Sequence, residues 1–388
     1  MKNARFIILP ALAGIGLLAG GLYKNMKQAD GADAPQTEAS PELPQEEIRT
    51  DAFSLKLFQQ VLSEQSGNVL VAPRVVSNTL HALRELAGGE SAKELDALQL
   101  SQTAVLRTPE PERSILLAVD INVPRTENRV NLVPLPFSED VPRALSLFNG
   151  FLAPSANALF ATTDMVSTRT RLLAGAAAYC HTGGYLPFHP THSRTADFDS
   201  ASGGMPHYQQ MRSRGQYITA RAEDGSWQAV ALLLKQNQPA GIPLALIGIL
   251  PAGSARTFAT QLTLEQLSSI RSALAKAAPE DTLVEFPRLK LEVRPYDMRY
   301  TLRRLGLASL FHSEQADFSP LTPGKIHLNA LIHASGVTID ENRRAPRMEV
   351  SELDQAGRII SFSRPFIWLL ADLSTDTPME YMGLVEEM

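Results

Sequence analysis

The chain has 388 residues, 44% of them hydrophobic and 20% charged, with a formal net charge of −5. Such a composition builds a globular protein with a large core, and its mild acidity leaves no basic excess to attract nucleic acid. The single cysteine, Cys180, excludes any intrachain disulfide, and the length suits one large domain or two to three ordinary ones.

Lys2 and Arg5 precede an apolar run from Phe6 to Tyr23, close to the ~20 residues that cross a bilayer. Residues 1–27 therefore read as a signal or membrane-anchor segment. Pro10 and the four glycines of the run suit a signal peptide as well as an anchor. The neatest small-residue cleavage point, Ala32-Asp33-Ala34, lies far from the run and is followed by Pro35. An uncleaved anchor is the preferred reading, with cleavage and release the alternative. Residues 28–50 are acidic, rich in Ala and Pro and almost free of large apolar side chains, which makes them a disordered linker. The folded domain is expected over 51–388.

Asp51 has the chemistry to cap a helix that carries Phe53, Leu57, Phe58, Val61 and Leu62 on one face. A short strand, Val69 to Val71, and a second helix after Pro73 follow; Gly88-Gly89 ends that helix. Ser91 to Glu94 reads as a capping box for a third helix. Ser114 to Val123 alternates as a strand, and Val141 to Leu152 is helical. From Arg171 onward strands dominate: Leu172–Tyr179, Trp227–Leu234, Leu244–Leu250, Leu283–Val293, Ile326–Ile332 and Ser335–Ile339. Cys180 falls in the first of these apolar runs, as a small buried hydrophobe. Thr263 to Gln266 caps another helix, and Asp297 caps one through Met298, Leu302 and Leu305 that Gly306 closes. Helices first and many strands later make an α+β chain.

Asn342 to Ser361 loses the pattern. It is charged, interrupted by Pro346 and Gly357, and bracketed by strand-like Thr338-Ile339-Asp340-Glu341 and Phe362-Ser363-Arg364-Pro365-Phe366-Ile367. Between two strands, such a stretch reads as a long exposed functional loop. No Gly-x-Ser-x-Gly, His-Glu-x-x-His, P-loop or Cys-x-x-Cys is present, so neither an enzyme nor a cofactor is expected. His181, His189 and His192 do not make a metal site, because Pro190 forbids the helix that would align the pair and no carboxylate completes the set.

Several segments, in order, resemble the serpins. They are Asn68 to Pro73, Leu86 to Ser91, Thr170 to Tyr179 with Pro187-Phe188, Val284 to Glu292, Ala316 to Ser319, His333-Ala334 before Thr338–Glu341, Phe362 to Ile367, and Tyr381-Met382-Gly383. The resemblance covers about residues 51–388. It implies a serpin-like α+β domain with a large central mixed sheet, further smaller sheets, a set of helices and an exposed reactive-type loop. It further implies a body outside the cytoplasm, either membrane-anchored or secreted, and a serine protease or other protein as partner at the loop. No glycosaminoglycan site is carried over, since the region before Ser114 is short.

In the family, a cut loop inserts as a new central strand, and a hinge of small residues after the Glu makes that possible. Here the hinge reads Arg343-Arg344-Ala345-Pro346-Arg347. By alternation Arg344 and Pro346 would face inward. An unpaired buried Arg costs several kcal/mol or more, and Pro lacks the N–H that a central strand needs. Of the polar residues the family places beneath its sheet, only His333 matches; Ala72, Val75 and Ala176 stand at the others. The sequence therefore leads to a non-inhibitory serpin-like binding or scaffold protein. The alternative is an inhibitor of a trypsin-like protease, with Arg347 or Arg358 as bait; the cleavage position implied by the resemblance falls at Gly357, next to Arg358.

Overall fold

A computed structural model describes residues 52–100, 112–126, 130–152, 161–234, 244–373 and 379–388. The expected segments 1–27 and 28–50 and the Asp51 cap lie outside the described residues. Among those described, the helices are α1 (Ala52–Glu64), α2 (Pro73–Arg84), α3 (Gly89–Ala97), α4 (Val141–Leu152), α5 (Ala255–Gln261), α6 (Leu264–Lys276), α7 (Arg299–Arg304) and α8 (Val350–Leu353). The strands from the N-terminal half are β1 (Val69–Val71), β2 (Glu112–Asp120), β3 (Leu132–Leu135), β4 (Leu172–His181), β5 (Arg194–Asp197) and β6 (His207–Arg221). Then come β7 (Trp227–Leu233), β8 (Leu244–Pro251), β9 (Glu280–Pro287), β10 (Leu289–Asp297), β11 (Leu328–Ile339), β12 (Arg358–Ser361), β13 (Phe366–Asp372) and β14 (Tyr381–Val385).

Two sheets result. A five-stranded mixed sheet runs β10-β11-β4-β2-β3, and a nine-stranded one runs β1-β14-β13-β8-β7-β6-β9-β12 with β5 also on β6. Fifteen-residue β6 joins what would otherwise be two smaller sheets, pairing β7 through its last four residues, Ile218 to Arg221, and β5 and β9 through His207 to Tyr217.

The central strands of the five-stranded sheet, β4 and β11, are buried on both faces. Ala174, Ala176, Ala178, Leu331, Val337 and Ile339 face the main core with α1 and α2. The alternate residues Leu173, Ala177, Ala330, Ile332 and Ala334 face a second core under α4. That helix lies so close that a Cβ on Gly175 would sit 2.4 Å from Leu152 Cδ1 and 3.0 Å from Phe148 Cζ. Only glycine lets α4 seat there.

The α6 capping box forms as expected: Thr263 Oγ1 accepts from Gln266 N at 3.1 Å and Gln266 Oε1 from Thr263 N at 2.9 Å. Ser91 does not cap. Helix α3 starts two residues earlier, and the Ser91 hydroxyl is buried against Ser309 Oγ at 3.0 Å and Asp317 N at 3.1 Å. The two strands expected over 326–339 are one continuous β11, whose pairing with β4 runs unbroken through Ala334 and Ser335. The single strand expected over 283–293 is two, broken at Arg288, whose N–H goes instead to Gln209 O.

Candidate functional site: the loop after β11

Strands β4 and β11 lie side by side and parallel, in continuous register from Leu331↔Ala174 to Thr338↔His181. Thr182 N donates to Thr338 O at 2.9 Å and extends the contact beyond β4. Beneath this pair lies His333, fully buried. Its Nδ1 is 2.9 Å from Ala176 O on β4, and its Nε2 is 3.3 Å from Ala72 N at the β1–α2 junction. A neutral ring protonated at Nδ1 satisfies both: Nδ1–H donates to Ala176, and Nε2 accepts from Ala72. Tyr296 packs edge-on against the ring at 6.0 Å.

Burial drives the His333 pKa down to about 4, against a smaller opposing effect of the Ala176 carbonyl. A histidine whose folded pKa is depressed binds fewer protons folded than unfolded. Its stabilisation is therefore complete above the unfolded value of 6.5 and is lost as pH falls from 6.5 to about 4. The full loss is about 3 kcal/mol. Denaturant unfolding at stepped pH is expected to show this acid slope, and His333→Gln, which keeps a donor and an acceptor, is expected to flatten it.

At the end of β11 the chain is clamped. Glu341 receives a two-pronged bond from Arg288, Nε to Oε2 at 2.9 Å and Nη2 to Oε1 at 2.5 Å, and a third from Ser193 Oγ at 2.6 Å. Burial pushes the Glu341 carboxyl up, but Arg288 and Ser193 outweigh it and hold the group below the usual carboxylate range. Asn342 N then donates to Phe188 O at 2.7 Å, and the Asn342 side chain accepts from Arg344 N at 2.8 Å. Ala345 closes the turn by donating to Asn342 O at 2.9 Å, and is buried.

The loop is thus neither fully exposed nor patternless. After a turn that presents Arg343, Arg344, Pro346 and Arg347 to solvent, His192 Nε2 meets Met348 O at 2.9 Å and Met348 N at 3.1 Å. Helix α8 follows, with buried Leu353 as its anchor. Arg212 on β6 pairs with Asp354, and Arg214 Nη1 donates to Glu352 O at 2.5 Å. The chain then enters β12, parallel to β9, from Arg358↔Thr282 to Ser361↔Glu285. Arg358 is held by Glu280 and by Thr219 Oγ1, and Gly357 immediately precedes the strand. Beyond β12, Phe362 sits 5.0 Å from both Phe286 and Phe366, ring to ring. These rings fix the far end of the loop. The apolar anchors Leu353 and Ile360 are too sparse to give a period, which is why the stretch reads as featureless.

The sequence singles out Glu341's neighbours and His333. It gives no sign of Arg212, Arg214 and Ser193, and offers His192 only as a metal-ligand candidate, because their partners are far along the chain. His181 lies 2.8 Å from Asp340, and His189 Nδ1 lies 2.8 Å from Thr191 Oγ1. Among the described residues no group of three metal-ligating side chains is present.

The family model described as Serpin (serine protease inhibitor) matches residues 157–386, and the chain belongs to this family. Alpha-1-antiproteinase S of Cavia porcellus is 33% identical over 107 residues, which are 26% of this chain and 25% of that one, so this match spans about a quarter of the relative's length. Plasminogen activator inhibitor 1 of Bos taurus is 22% identical over 423 residues, 95% of this chain and 98% of that one. Among solved structures, Manduca sexta serine protease inhibitor (serpin)-12 aligns with a TM-score of 0.72 at 18% identity over 87% of this chain and 98% of that one. Uncleaved ovalbumin aligns with a TM-score of 0.75 at 14% identity, covering 88% and 99%. At these identities the structural likeness speaks for the fold.

Proposed function

We propose that the protein is a non-inhibitory serpin that binds a partner through the turn Arg343–Arg347, and that it does not trap proteases. What carries this reading is the loop's first segment. Arg344 and Pro346 occupy the positions that would enter the β4–β11 ladder first, and that ladder is paired without a break from Leu331 to Thr338. Inserting them means breaking the parallel pairing, releasing Glu341 from Arg288, and burying a guanidinium beside a residue with no N–H. Arg343, Arg344 and Arg347 instead stand exposed on a backbone pinned at Asn342, Ala345 and Met348, and among the described residues none of the three is in an ion pair. Planar guanidiniums on a fixed turn suit a carboxylate-bearing protein surface.

The test is incubation with a trypsin-like protease, followed by mass mapping and denaturing electrophoresis. Cuts are expected after Arg343, Arg344 or Arg347 and not after Arg358, which β12 holds. No SDS-stable covalent complex is expected; its appearance favours the inhibitor reading.

For location we propose that residues 1–27 anchor the protein and that 28–50 space the domain from the membrane, on the outer side of it. Among the described residues no helix is long and apolar enough to cross a membrane. Intact mass of the protein from its own host is expected to equal the full chain in the membrane fraction; full-length protein in the cytosol rejects the proposal.

A further inference from the structure

We propose that β12 is the edge by which two copies of this chain pair, antiparallel across a two-fold axis, into one continuous sheet. The inference goes beyond the partner proposed for the turn Arg343–Arg347 and does not depend on it.

Strand β12 ends the nine-stranded sheet, with β9 on one side and, among the described residues, no strand on the other. Its parallel pairing with β9 decides which backbone groups are used. Phe362 N donates to Glu285 O at 2.8 Å, and along a strand the backbone groups of alternate residues point to the same side. Arg358, Ile360 and Phe362 therefore turn toward β9. The N–H and C=O of Ile359 and Ser361 turn outward. The Ile359 side chain is 56% exposed, on the same face of the sheet as its register partner Leu283.

An unpaired edge is a liability, and the other edges of this fold are blocked in recognisable ways. Strand β10 carries Pro295 and a bulge between Val293 and Tyr296, and β3 carries Pro134. Strand β5 carries Arg194 and Asp197, and β1 has three residues, all buried. Strand β12 has no proline and no bulge. Its one charged residue, Arg358, is drawn aside onto Glu280 and Thr219 Oγ1. What remains is an open edge bearing an exposed β-branched side chain.

That edge fits a second copy of itself. An antiparallel partner centred on Ile360 places Ile359 against the second copy's Ser361, and Ser361 against the second copy's Ile359. Each such pair exchanges N–H to C=O bonds in both directions. Arg358 then lies opposite the second copy's Phe362, so no like charges meet. The two Ile359 side chains share one face across the diagonal of the ladder, about 7–8 Å apart, and cover each other. A two-fold contact of this kind closes at two chains. One short strand pair is small beside the ~1,200 Å² of the lesser stable interfaces, so the dimer is weak and concentration-dependent.

Sedimentation equilibrium of the full chain, in detergent matched to the solvent density, tests this at stepped concentration. The mass is expected to climb from one chain toward two. Ile359→Pro removes an outward N–H and leaves the bonds to β9 in place, so the variant is expected to keep its melting temperature and stay monomeric. A dimer that survives Ile359→Pro overturns the proposal, as does a monomer at every concentration. If Ile359→Pro fails to fold, amide exchange on the unaltered chain decides. Protection at Ile359 and Ser361 is expected to rise about tenfold once about nine chains in ten are paired, while Ile360 and Phe362 hold. No rise at those two amides overturns the edge pairing.

Discussion

Arg212→Ala is expected to destabilise the fold by about 2–4 kcal/mol and to free the loop's second half. The Arg212 side chain is 5% exposed and joins buried Glu285, at 3.1 Å, to Asp354 at the end of α8. Removing it leaves Glu285 with one cation, Arg194 Nη2 at 3.0 Å, which lies on the surface and partly compensates. Most of the loss comes from the stranded Glu285 carboxylate, since a carboxylate as exposed as Asp354 contributes little. Urea unfolding is expected to show a lower midpoint at unchanged slope, and limited proteolysis between Arg343 and Arg358 is expected to quicken. Arg194→Ala, made at the exposed end of the same network, is expected to cost no more than about 1 kcal/mol. Equal effects of the two substitutions contradict the strap.

Much of the frame is legible in the sequence for local reasons. The Thr263–Gln266 capping box, the apolar run of β4 and the Gly306 helix stop are each encoded within a few residues. Strand β6 is not legible. Gln210 and Arg212 are almost fully buried in it, yet both are polar, so hydropathy alternation points the wrong way. What makes them inward-facing is their partners: Tyr208 for Gln210, and Glu285, 73 residues away, for Arg212. The site divides in the same way. His333 and the hinge arginines stand out through their place in a recognisable order of motifs. The straps from His192 and Arg214 join residues 156 and 138 positions apart, and nothing in either segment alone announces them.

The larger expectation concerns what cutting the loop does. In a chain whose loop inserts, cleavage adds a central strand and with it a new set of ladder hydrogen bonds and buried side chains. Here the first residues to enter are Arg343 to Arg347, and the site they would enter is closed by the β4–β11 pairing and underpinned by His333. Glu341 must also leave Arg288, giving up a bidentate, partly buried ion pair. The barrier is therefore placed at the start of insertion, before any strand energy is recovered. Arg344→Thr combined with Pro346→Ala removes the side-chain and backbone obstacles while leaving the clamp, so any insertion in that variant is expected to be slow.

The most direct test is the melting temperature of the protein before and after a single trypsin cut between Arg343 and Arg347, with the two fragments still associated. The two values are expected to agree within a few degrees. A rise of tens of degrees on cleavage means that the loop has entered the sheet, and contradicts the non-inhibitory account.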